Sequence, residues 1–164
     1  MKKIILTTNK IIRAASFAMV IGLVTVSYTS CKQEGCTDAT ATNFDDKADT
    51  DDGSCAYERD ALLGSYSVSG TVNCGVTGND ALTGVTFTIA KSTVATNKII
   101  ITFSGVSLTS TVSGSGFTID NQTVSGFAYT GNGNVAGNAL NVTINEFDAA
   151  IPETCIFILN GTRQ

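Results

Sequence analysis

Tyr66-Ser67-Val68-Ser69-Gly70-Thr71-Val72-Asn73-Cys74 alternates without a break: Tyr66, Val68, Val72 and Cys74 share one parity, and the hydroxyl and amide residues take the other. A backbone of period two puts those sets on opposite faces, so the stretch reads as a half-buried strand with Cys74 pointing inward. Downstream the same period returns in Val85, Phe87 and Ile89, in Ile99, Ile101 and Phe103, in Phe117 and Ile119, in Phe127 and Tyr129, and in Leu140, Val142 and Ile144. A last strand carries Cys155, Phe157 and Leu159 on one face. Turn signals separate the runs: Thr96-Asn97-Lys98, Ser113-Gly114-Ser115-Gly116, Ser125-Gly126, Gly131-Asn132-Gly133-Asn134 and Gly137-Asn138. About eight strands at spacings of roughly 8 to 14 residues, with no helical pattern, predict an all-β fold. An antiparallel meander closed into a small barrel or curled sandwich would leave no exposed edge.

Composition narrows the chemistry. The chain has no histidine and no tryptophan, and its one proline is Pro152. Without histidine it lacks the usual general base and the commonest neutral metal ligand. No G-x-S-x-G is present to present a serine, and Gly131-Asn132-Gly133 has no helix after it to cradle a phosphate. Glu146, Asp148 and Glu153 could be paired for glycoside chemistry, but at a strand end and loop they read as solvated surface. No catalytic residue is therefore assigned. Lys2, Lys3, Lys10 and Arg13 precede residue 14; without them 14 acidic residues face six basic ones, a net charge of about −8. Such an acidic product has no phosphate-neutralising patch, which argues against nucleic acid as a partner.

The N-terminus carries a separate message. A basic region from Lys2 to Arg13 precedes an apolar run from Ala14 to Val26, then Ser27-Tyr28-Thr29-Ser30-Cys31. That order is the grammar of an export signal. Roughly 13 apolar residues are too few for the ~30 Å hydrocarbon core, which takes about 20. The Ser30-Cys31-Lys32 junction resembles the lipobox of Bacteroidota-type lipoproteins, with Tyr28 where an aliphatic residue is usual. The resemblance implies cleavage before Cys31 and acylation of its thiol, and two or more acyl chains would hold the product at a membrane.

Cysteine arithmetic agrees. Cys31, Cys36, Cys55, Cys74 and Cys155 are odd in number, and lipidation of Cys31 leaves four to pair in an oxidising compartment. Of three connectivities, Cys36 with Cys55 and Cys74 with Cys155 is favoured, because the first two bracket one acidic segment and the second two sit in strand-patterned runs. A zinc site lacks histidine ligands and a C-x-x-C pair.

The acidic segment, residues 35 to 57, reads GCTDATATNFDDKADTDDGSCAY. Gly35, Cys36, Thr37, Asp38, Ala41, Asn43, Phe44 and Asp45, followed by Ala48, Asp51, Asp52, Gly53, Ser54, Cys55 and Tyr57, resemble a small cysteine-bracketed module of exported Bacteroidota proteins. Its acidic loops are similar to the calcium-binding type 3 repeats of thrombospondin. Hard oxygen ligands at this density suit Ca²⁺, and Asp38, Asn43, Asp45, Asp49, Asp51 and Asp52 form the candidate set. The frame is not an EF-hand. The alternative is a solvated acidic spacer ordered by its disulfide and Phe44.

The stretch from Gly64 to Arg163 resembles uncharacterised lipocalin-like β domains of Bacteroidota lipoproteins, through Leu63-Gly64-Ser65-Tyr66, Cys74, the Thr111-Val112-Ser113-Gly114 turn, Gly131-Asn132-Gly133 and Cys155. The expected organisation is a signal peptide over 1–30, a lipidated tether with the acidic module over 31–60 and a β domain over 61–164. The expected location is the outer membrane, lipid-anchored on its periplasmic face or the cell surface. Two function classes follow: a binding or interaction module for a carbohydrate, a protein or a small apolar ligand, and a structural envelope lipoprotein with no specific small ligand. A lipocalin-like interior cavity with converging polar groups would favour the first class, and an interior filled by large side chains would favour the second.

Overall fold

The computed structural model describes residues 32–75 and 78–164. Signal peptide and lipidation at Cys31 therefore fall outside the described residues. Two short parallel strands, β1 (Glu34–Gly35) and β2 (Thr50–Asp51), lie in the acidic segment. A 3₁₀ turn, Glu58–Ala61, spans the expected boundary and leads into eight long strands. These are β3 (Gly64–Cys74), β4 (Gly78–Lys91), β5 (Lys98–Phe103), β6 (Val106–Ser113), β7 (Gly116–Val124), β8 (Phe127–Ala136), β9 (Ala139–Asp148) and β10 (Glu153–Arg163). Each pairs antiparallel with its chain neighbour, and β10 returns to β3 to close a barrel.

Alternation explains the closure. Tyr66, Val68, Phe87, Ile89, Ile99 and Ile101 are buried in one core with Leu140, Val142, Ile144 and Leu159. Ser65, Ser69, Thr71, Asn73, Asn132, Asn134, Asn141 and Asn160 face out and are exposed. The inward set is apolar and the outward set mostly polar, with Phe147 on β9 and Ile156 and Ile158 on β10 as exposed exceptions. Cys74 and Cys155 are direct partners across the closing ladder and form a disulfide with Cα atoms 4.1 Å apart. That is slightly under the usual span of about 4.4–6.8 Å for a disulfide, because the two sit straight across an antiparallel pair, where narrow positions approach to about 4.5 Å.

Three features depart from simple alternation. In β4, Val68 opposes Val85 but Gly70 opposes Leu82, so the strand carries one extra residue at Thr83-Gly84. Gly84 takes φ 64°, the left-handed conformation such a bulge requires. In β7 a second bulge falls between Ile119 and Gln122. There the Gln122 side chain stands in for a peptide group: its Oε1 accepts from Thr109 N–H at 3.0 Å and its Nε2 donates to Thr109 C=O at 2.8 Å. The third departure corrects the sequence reading, since Gly131-Asn132-Gly133-Asn134 is no turn but the middle of β8. A side chain at Gly133 would collide with the Phe117 ring, and one at Gly131 with the Thr143 carbonyl, so these glycines leave inward room that their neighbours fill. Strand β6, which the sequence reading did not assign, supplies buried Leu108, Ser110 and Val112.

Candidate functional site

The module's geometry follows from its disulfide, Cys36–Cys55, whose Cα atoms are 4.8 Å apart. Around it the acidic side chains turn to the backbone. Asp38 accepts from Thr40 N–H, Thr40 Oγ1 and Tyr57 Oη, each at 2.8 Å. Asp45 accepts from Lys47 N–H at 2.9 Å, Asp51 from Gly53 N–H at 3.0 Å and Asp52 from Ser54 N–H at 2.9 Å. Asn43 bridges back to residues 54 and 56, donating to Ser54 C=O at 2.8 Å and accepting from Ala56 N–H at 2.7 Å. A carboxylate reaching a backbone N–H two residues on is the local turn that Asp favours. The Thr40 N–H and the Tyr57 hydroxyl hold Asp38 below the usual carboxylate range, and Asp38 in turn pushes Tyr57 up.

The six candidate calcium ligands are thus spread over successive turns. Among the described residues no three acidic, cysteine or histidine side chains are arranged to hold a metal ion. Asp38, Asp45, Asp51 and Asp52 each give one oxygen to a turn N–H, and the set is not gathered round one point. Phe44, expected to help order the segment, is 46% exposed; Cys36 and Ala41 are buried instead.

The module is fastened to one end of the barrel. Glu58 accepts from Gly114 N–H at 2.8 Å in the β6–β7 turn. Asp60 accepts from Tyr57 N–H at 2.9 Å and pairs with Lys91 at 3.0 Å. Burial alone would raise Asp60, but the Tyr57 N–H, Lys91 and Arg59 together hold it below its ordinary value. Arg59 is buried and its Nη1 donates to the carbonyls of Ser92, Ala95 and Lys98 at 2.9, 2.6 and 3.1 Å. Behind it Leu62 plugs the interior, and Tyr66 Oη donates to its carbonyl at 2.7 Å. Arg163 donates to Tyr66 Oη through Nε and Nη2 and to Ala61 C=O at 2.6 Å. Sequence reasoning missed both arginines because their partners are carbonyls and a phenol from distant segments, and no local pattern announces them.

Between module and barrel lies a cleft of about 600 Å³, lined by Thr40, Ala41, Thr42, Tyr57, Glu58, Thr96 and Asn97. Hydroxyls, an amide, a carboxylate and one tyrosine ring make up most of its wall. The barrel interior is packed instead, and the recess at the opposite end is only about 60 Å³. In that recess burial first, and then the neighbouring Glu146 carboxylate, push the Tyr129 phenol up to about 12.

No family model matches the chain, and no curated protein does. Among solved structures, the chain is similar to a 2.40 Å crystal structure of a protein assigned to the outer membrane of Bacteroides fragilis NCTC 9343, with a TM-score of 0.52 and 19% identity. The match covers 65% of this chain and 52% of that one, so the chain spans about half the length of its neighbour. At this identity the likeness is one of fold.

Proposed function

We propose that the chain is an exported lipoprotein, held at the outer membrane through acyl chains on Cys31, and that it is a binding module whose recognition surface is the cleft between acidic module and barrel. The cleft carries this reading. Its volume of about 600 Å³ falls in the range of about 300–1,000 Å³ typical of ligand sites, whereas the packed interior has no such space. Its wall of Thr40, Thr42, Thr96, Asn97, Glu58 and Tyr57 suits a carbohydrate or a polar protein segment better than a small apolar ligand. Anchoring is supported by the signal grammar before Cys31. The fold neighbour assigned to an outer membrane supports the same location.

Two experiments test this. Mass spectrometry of the membrane-bound protein should find an acylated N-terminal Cys31, and Cys31→Ser should release the protein or leave it unprocessed; intact Met1 on the membrane-bound form overturns the anchor. For the cleft, the mature protein is screened against soluble glycans and envelope proteins beside a Thr96→Ala, Asn97→Ala double variant. These side chains lie on the barrel's side of the cleft, so the fold should persist while the ligand is lost. Equal retention by both proteins would place recognition elsewhere.

A further inference from the structure

The barrel end away from the module holds the small recess, which neither the core nor the cleft uses. At about 60 Å³ it exceeds the roughly 10–15 Å³ that seats one water molecule, room for a headgroup rather than a whole ligand. Phe103, Phe157 and Tyr129 form its aromatic wall, Leu108 and Ile144 its aliphatic one, and Glu146 is the carboxylate that lines it. The Phe103 and Phe157 rings meet edge to face at 5.5 Å. Glu146 stands directly opposite Tyr129 in the β8–β9 ladder.

The basic side chains of the barrel lie at the other end, and they are already engaged: Lys91 pairs with Asp60, Lys98 with Asp120, Arg59 donates to backbone carbonyls and Arg163 to Ala61 C=O and Tyr66 Oη. The strand ends and turns around the recess contribute Asp80, Glu146, Asp148 and Glu153, and no lysine or arginine.

A neutral apolar group filling the recess would strip water from Glu146 and return no hydrogen bond. An anion would meet carboxylates only. A cation replaces the lost water with a charge-assisted contact, and the faces of aromatic rings attract it further. We propose that the recess binds an alkylammonium headgroup, supplied by a small free amine or by the lysine side chain of a partner. Glu146 takes the charge, and Phe103, Tyr129 and Phe157 enclose the adjoining methylenes.

Calorimetric titration of the mature protein, with tyrosine fluorescence followed in parallel, tests this using n-butylammonium, N-acetyl-lysine methylamide, butyrate and n-butanol. The two cations should bind saturably, and butyrate and butanol at least tenfold more weakly. Glu146→Gln should lower cation affinity at least tenfold. Val106→Phe, which fills the recess from β6, should abolish binding, and it decides the matter if Glu146→Gln unfolds. Tighter binding of butylammonium identifies a free amine; tighter binding of the lysine derivative identifies a protein side chain. Butanol binding as tightly as butylammonium, cation binding unchanged in both variants, or no saturable binding of either cation overturns the proposal. The Thr96→Ala, Asn97→Ala variant should titrate like the wild type, so failure at the recess and failure at the cleft are separable.

Discussion

The barrel and the acidic module reach order by different physics. In the barrel, continuous ladders satisfy the backbone while Phe87, Ile101, Leu159 and their neighbours leave water completely or nearly so. Across residues 32–57 the buried hydrophobic residues are Cys36 and Ala41, and the shape rests on one disulfide and on side chains that complete turns. The contrast shows what a dense run of aspartates does when no core is available. Its carboxylates become turn closures, each of Asp38, Asp51 and Asp52 giving one oxygen to a backbone N–H two residues on.

The sharpest way to break this contrast is to remove barrel core. Phe87 is fully buried and its ring lies 6.1 Å from that of Phe103. Phe87→Ala should cost about 3–5 kcal/mol through lost burial and the cavity left behind. The measurement is the midpoint of denaturant unfolding with the slope unchanged; a loss below about 1 kcal/mol would mean that the interior is not packed as described.

The two disulfides give the next comparison. Chain entropy assigns about 4.5 kcal/mol to the 81-residue separation of Cys74 and Cys155 and about 3 kcal/mol to the 19-residue separation of Cys36 and Cys55. Replacing Cys74 and Cys155 together by alanine should lower the melting temperature of the whole barrel. Replacing Cys36 and Cys55 should leave that transition nearly in place and raise protease sensitivity within residues 36–55. If both pairs shift the barrel equally, module and barrel are one cooperative unit.

A smaller effect tests the bulge in β7. Gln122→Ala withdraws both partners that its amide gives to Thr109, and a half-buried peptide left unpaired costs about 1–3 kcal/mol. Hydrogen exchange at Thr109 N–H should quicken more than at Ile101 N–H on the neighbouring strand. Equal protection in both proteins would show that water replaces the amide without loss.

How much of this was legible in the sequence depends on the range of the interaction. Period two marked every long strand but β6, where Ser110 takes an inward position, and the parity of Cys74 with Val72 and of Cys155 with Phe157 pointed to the closing disulfide, because both are set by nearest neighbours along the chain. Gly131 and Gly133 misled: in isolation a G-N-G-N run is a turn, and only the Phe117 ring across the ladder makes it strand. Bulges at Gly84 and before Gln122 were hidden because each depends on the register of a partner strand. The acidic segment was legible as a disulfide-closed loop, but its calcium set was not gathered by the fold. Composition counts oxygens and does not say which N–H groups they will meet. The cleft was invisible for the same reason, since Thr40 and Asn97 meet only through folding.

The smallest effect compares two tyrosines, one in each region. Tyr129 in the barrel titrates high first because burial penalises the phenolate; Tyr57 in the module titrates high first because its hydroxyl donates to Asp38. Asp38→Asn should therefore lower the Tyr57 transition toward the ordinary phenol value while leaving that of Tyr129 at about 12, read by ultraviolet absorbance against pH. The acid side carries the matching sign. Asp38 is held below its ordinary value in the folded chain, so its contribution is complete above the unfolded carboxylate pKa and is lost as pH falls through the depressed folded one. Between those two values the wild type should keep a protected Thr40 N–H that exchanges faster once Asp38 is protonated, and Asp38→Asn should show no such step. A Tyr57 transition unmoved by Asp38→Asn would mean that solvation rather than this hydrogen bond sets it, and the contrast between a module ordered by polar contacts and a barrel ordered by burial would weaken at its most local point.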